Sequence, residues 1–105
     1  MLSKQQIKIL SNIIIKKFNP KKIFIFGSYA HGRPDSESDL DICVITDFNG
    51  KRKIDLIRDL RGEIFSVFDV PLDILVFEDN EFEKKAILKN TLEYKILNEG
   101  ILLND

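Results

Sequence analysis

Three short apolar runs limit what this chain can fold into: Lys22–Phe26 (KIFIF), Leu40–Ile45 (LDICVI) and Leu72–Phe77 (LDILVF). Each is rich in Ile, Val, Leu or Phe and short, so each reads as a β-strand. The stretches around them carry a different period. Ile7, Leu10 and Ile14 recur at helical spacing, as do Ile57, Leu60, Ile64 and Phe68. Helices that alternate with strands pack as layers against a sheet. The expected class is α/β, with a small, mostly buried sheet.

Local signals place the ends of these elements. Ser3 caps a first helix, and Gln6 three residues on completes a capping box. Pro20 ends that helix at or before Asn19. Gly27 stops the first strand, residues 28–32 read as one helical turn, and 32–38 as a polar loop containing Pro34. A turn over 47–50 leads into a long helix over 51–68. A short helix is expected over 81–88, and a last one, capped by Asn90 with Glu93, runs to Asn98 before Gly100. Phe24, Phe26, Phe65, Phe68 and Phe77 are expected in the core, with Cys43 as a small buried apolar residue. No stretch rich in Pro, Gly or Ser divides the chain, so a single domain over residues 1–105 is expected.

The chemistry concentrates between the first two strands. Gly27-Ser28 follows one apolar run, and Asp39-Leu40-Asp41 opens the next. Side chains alternate along a strand, so Asp39 and Asp41 share a face with Cys43 and Ile45. Paired carboxylates buried without a partner would cost several kcal/mol per ion. At a strand entrance they can instead hold a hard divalent cation, and Mg²⁺ takes one or two carboxylates together with substrate phosphates. Gly27 permits close approach of backbone to a ligand, and Ser28 offers a hydroxyl at the start of a turn whose amides suit an anion. A triphosphate bridging that turn and a metal on Asp39 and Asp41 satisfies both ends. Asp73 opens the third strand and adds a third carboxylate if that strand lies beside the second. Two metal ions then become feasible, one on the triphosphate and one activating an attacking hydroxyl, with Asp73 able to accept the proton.

Composition narrows the classes. The net charge of −1 gives no general attraction to nucleic acid, so any anion must be held locally and no direct nucleic-acid binding is expected. One cysteine and one histidine exclude an intrachain disulfide and a histidine-based zinc site. No apolar run reaches the ~20 residues of a membrane span, and the first residues lack a signal-peptide pattern. A cytoplasmic protein without membrane contact is expected.

The string Gly27-Ser28, residues 29–38, Asp39-Leu40-Asp41 resembles the signature of the DNA-polymerase-β-like nucleotidyltransferases, and most of all their minimal, stand-alone branch. IFIFGSYAHG is similar to that family's first strand and loop, RPDSESDLDICV to its loop and second strand, and PLDILVF to its third strand with the third acid. KILNEGILLND is similar to the family's closing helix and apolar tail. The resemblance implies a small mixed sheet of three or four strands packed with helices. It implies that Ser28 contacts the triphosphate of ATP, that Gly27 allows the close approach, and that Asp39, Asp41 and Asp73 bind Mg²⁺. Minimal members are often paired with a HEPN-class RNase toxin, and act as antitoxins by moving AMP from ATP onto a toxin tyrosine. The resemblance thus implies a protein partner, in a hetero-oligomer or homo-oligomer that presents the acceptor hydroxyl. No lysine or arginine is placed by motif to neutralise the triphosphate.

Other readings stand beside this one. Asp39-x-Asp41 alone could be a solvated strand end or an edge-protecting charge pair. A calcium loop starting at Asp35 fails because its sixth residue is Leu40 and not Gly. A Walker loop fails because no Gly-Lys-Ser/Thr follows the first strand. A metal-dependent glycosyltransferase, a toxin-neutralising or regulatory module acting by contact alone, and a nucleotidyltransferase acting on a small molecule or RNA with a partner subunit remain as alternatives. His31 reads as a loop residue, and Lys51, Arg52, Lys53, Arg58 and Arg61 as the solvated side of the long helix.

Overall fold

A four-stranded mixed sheet of order β3-β2-β1-β4 organises the computed structural model, which describes residues 3–32, 39–68 and 71–104. The strands are β1 (Lys22–Phe26), β2 (Leu40–Ile45), β3 (Leu72–Phe77) and β4 (Ile101–Leu102). β1 runs antiparallel to both β2 and β4, while β2 and β3 are parallel. Parallel strands need a crossover, and α2 (Lys53–Phe65) supplies it. The first three strands lie where the apolar runs put them. β4 is an addition: two residues leave almost no alternating pattern to read, and its place depends on pairing with Phe24 and Ile25.

The two faces of the sheet are covered by different helices. Ile23, Ile25, Leu40, Ile42, Val44, Ile74 and Val76 pack with Leu10 and Ile14 of α1 (Lys4–Phe18) and with Leu56, Leu60 and Ile64 of α2. Phe24, Cys43 and Ile45 pack on the other face against Phe82 and Ala86 of α3 (Asp79–Ala86) and Ile96 of α4 (Leu92–Glu99). Burial pushes the Cys43 thiol up to about 12, consistent with its role as a small apolar residue.

Several boundaries differ from the sequence reading. The Ser3–Gln6 capping box forms, and Asn19 closes α1 in the left-handed region. α2 is shorter than 51–68, ending at Phe65. Its buried stripe is Leu56, Leu60 and Ile64, with Ile57 and Phe68 only partly buried. Phe65 is 68% exposed, contrary to the core assignment, because the stripe turns away from it at the helix end. α3 begins at Asp79, earlier than 81. Thr91, not Asn90, caps α4: its hydroxyl accepts from the Tyr94 amide and donates back toward the α3 corner. The expected loop over 32–38 lies, from residue 33 onward, outside the described residues.

Candidate active site

Strand register brings the acidic residues together. Parallel pairing of β2 with β3 sets Asp41 directly beside Asp73, and antiparallel pairing of β1 with β2 sets Phe26 beside Asp41. Residues in register on neighbouring strands share a face, so the Asp41 and Asp73 carboxyls meet. Asp39 precedes β2 and is exposed. Among the described residues, no three Asp, Glu, His or Cys side chains already form a closed metal-binding set. Two of the three expected carboxylates are therefore in contact, and the third acts on Asp41 by its charge.

The electrostatics follow from this crowding. Partial burial, then the charge of Asp73, then a hydrogen bond to Asp73 and the charge of Asp39, all hold the Asp41 carboxyl above its ordinary range. Each influence disfavours ionisation, and none is a cationic side chain. Clustered carboxylates without a compensating cation offer an all-oxygen donor set, which fits a hard divalent ion such as Mg²⁺. Asp39, Asp41 and Asp73 would hold it.

Gly27 sits against this pair for a reason the sequence concealed. Its backbone has φ +74°, and a Cβ built on it would collide with Asp41 Oδ2. The glycine seats the carboxylate as well as opening the turn. The turn itself is a 3-10 segment, Gly27–Tyr29, and not a helical turn over 28–32. Ala30 and His31 both donate to Gly27 O, at 3.1 and 3.2 Å, so those amides are used within the turn. Ser28 is half-buried at its start.

Beside Asp41 lies a cleft of about 240 Å³ that the motif did not reveal. Phe26, Gly27 and Asp41 form one side, His31 stands at its edge, and Leu92, Lys95, Ile96 and Glu99 of α4 form the other. His31 Nε2 is 3.7 Å from Glu99 Oε1. The sequence signal for this wall was present but weak. Leu92, Lys95, Ile96 and Glu99 are spaced as one helical face, yet only the docking of α4 on β1 shows that the face looks toward Asp41.

Known proteins resemble this chain to different degrees. A family model described as a nucleotidyltransferase domain matches residues 7–98. The chain is 30% identical over 105 residues to a Methanocaldococcus jannaschii protein provisionally named as a protein adenylyltransferase, covering 98% of this chain and 99% of the relative. Among solved structures, a toxin–antitoxin complex with AMP-PNP matches with a TM-score of 0.61 at 22% identity, over 92% of this chain and 70% of that one. A Sulfolobus solfataricus structure, provisionally named as a nucleotidyltransferase, matches with a TM-score of 0.57 at 17% identity, over 91% and 74%. These likenesses show the polymerase-β-like nucleotidyltransferase fold.

Proposed function

Because this chain belongs to the nucleotidyltransferase-domain family, we propose that it transfers AMP from ATP to a hydroxyl of a partner protein. The meeting of Asp41 with Asp73, beside the Gly27 turn, carries this reading. Bound Mg²⁺ would supply Lewis acidity at the phosphates and lower the charge between nucleotide and carboxylates. Ser28 contacts the triphosphate, and Gly27 keeps backbone and Asp41 close. Asp39, Asp41 and Asp73 hold the metal. Asp73, exposed on edge strand β3, accepts the proton of the attacking hydroxyl. The acceptor oxygen bonds to the α-phosphorus, the bond to the bridging oxygen breaks, and pyrophosphate leaves.

The acceptor is a tyrosine of a HEPN-type toxin, and its adenylylation neutralises the toxin. Two observations favour a protein acceptor: the relative named as a protein adenylyltransferase and the toxin–antitoxin neighbour holding AMP-PNP. The test is AMP transfer. The purified chain is incubated with Mg²⁺, ATP labelled at the α-phosphate and the protein encoded by the adjacent gene, then analysed by gel and mass spectrometry. Label on a partner tyrosine, lost in the Asp39→Asn/Asp41→Asn double variant, is the expected result. A tight complex without label would favour neutralisation by contact alone.

A further inference from the structure

The charge balance of the nucleotide site has a missing member, and α4 supplies a candidate. Lys95 lines the cleft opposite Gly27 and Asp41, is exposed, and has no ion pair among the described residues. Its helix carries two acids, Glu93 and Glu99, and neither forms an ion pair with it. Glu93 is only 7% exposed and lies 3.9 Å from Lys85 Nζ. Glu99, one turn beyond Lys95 where an ion pair commonly forms, stands 3.7 Å from His31. What sets Lys95 apart from other lysines without an ion pair is its place: among the described residues it is the only lysine or arginine that lines this cleft. A lysine left unpaired inside a cleft floored by Asp41 is placed to meet an anion.

We infer that α4 forms the second wall of the nucleotide site and that Lys95 binds the β- and γ-phosphates. This inference rests on the proposed use of ATP. The cleft is smaller than the ~300 Å³ at which small-molecule pockets usually begin, so it fits part of a nucleotide and not all of it. The ammonium is a flexible point charge suited to a polyphosphate that shifts as pyrophosphate departs. Phe26, Leu92 and Ile96 give the same cleft apolar sides.

Calorimetric titration of wild type, Lys95→Gln and Lys95→Arg with MgATP and with AMP tests this. Lys95→Gln should weaken MgATP binding about tenfold or more, the loss expected for one charge-assisted hydrogen bond. It should leave AMP binding unchanged, and Lys95→Arg should recover most of the loss. Lys89→Gln, a charge change outside the cleft, should bind as wild type does. Equal MgATP affinity for wild type and Lys95→Gln overturns the inference while leaving the proposed function intact. Equal weakening of MgATP and AMP by Lys95→Gln also overturns it, since a phosphate contact spares AMP. Failure of the wild type to bind MgATP overturns both.

Discussion

The two ends of the same sheet are built on opposite electrostatic terms. At the end where β1 begins and β2 and β3 finish, several polar groups are matched. Lys21 Nζ lies 2.8 Å from Asp79 Oδ2. Asn104 accepts from the Ile23 amide at 2.6 Å and donates to Lys21 O at 3.2 Å. The Thr46 amide extends the β2–β3 ladder to Phe77 O. At the other end Asp41 meets Asp73, with Asp39 near enough to act by charge and no cation offsetting them at Asp41. The backbone ladder is equally regular at both ends, so the contrast lies in the side chains. One end holds the fold together, and the other stores repulsion that a cation and a nucleotide can relieve.

Replacing Asp41 with Asn should break this contrast with the largest effect. Transfer activity should fall on the order of a hundredfold or more, since a metal contact contributes several kcal/mol at the transition state. The metal-free protein should become more stable at neutral pH, because a raised carboxyl destabilises the fold once ionised. The sign follows from linkage. The folded state holds the Asp41 proton more tightly than the unfolded chain, so stability falls as pH rises from the ordinary value of 3.8 through the raised one. The advantage of Asp41→Asn should be greatest at neutral pH and vanish below that ordinary value. Urea titrations of both proteins without metal, across that pH range, measure it. A variant less stable than wild type at neutral pH would mean that the acidic end carries no stored repulsion.

Gly27→Ala ranks next. The left-handed backbone alone costs an alanine about 1–2 kcal/mol, which lowers Tm by about 5–15 °C in a domain of this size. The added Cβ also meets Asp41 Oδ2, so the loss should shrink when Asp41→Ala is combined with it. A double-mutant cycle read by thermal denaturation separates the two causes. Strict additivity would show that Gly27 serves the turn alone and does not seat the carboxylate.

How much of this could be read from the sequence depends on the range of each signal. β1, β2 and β3 were legible residue for residue, because each is a short, mostly apolar run bounded on one side by Gly27, Asp39 or Pro71. The Ser3 cap and the Asn19 stop were equally local. The face shared by Asp39 and Asp41 followed from strand alternation, but the adjacency of Asp41 and Asp73 needed the parallel register, which no local pattern gives. Phe65 was misjudged because an aromatic at a helix end looks like core until the helix is docked. The Lys95 wall and the Asp41–Gly27 contact were hidden for the same reason: each joins residues far apart in the chain.

The smallest expected effect belongs to the matched end. Lys21→Met removes the cation facing Asp79, yet the lysine is fully exposed and exposed pairs contribute little. The hydrogen bond and charge of Asp79 raise the Lys21 pKa above 10.5, so its stabilising contribution is complete at neutral pH and is lost only as pH rises through the raised value. Tm should therefore drop slightly at pH 7, less so in high salt, where the pair is screened. Affinity for MgATP and transfer activity should not change, because β1 and β2 separate this end from Asp41. A loss of nucleotide affinity in Lys21→Met comparable to that in Lys95→Gln would show that the two ends are coupled through the sheet. Repulsion at one end would then be balanced by matched charge at the other, and the division between a stabilising end and a binding end would have to be given up.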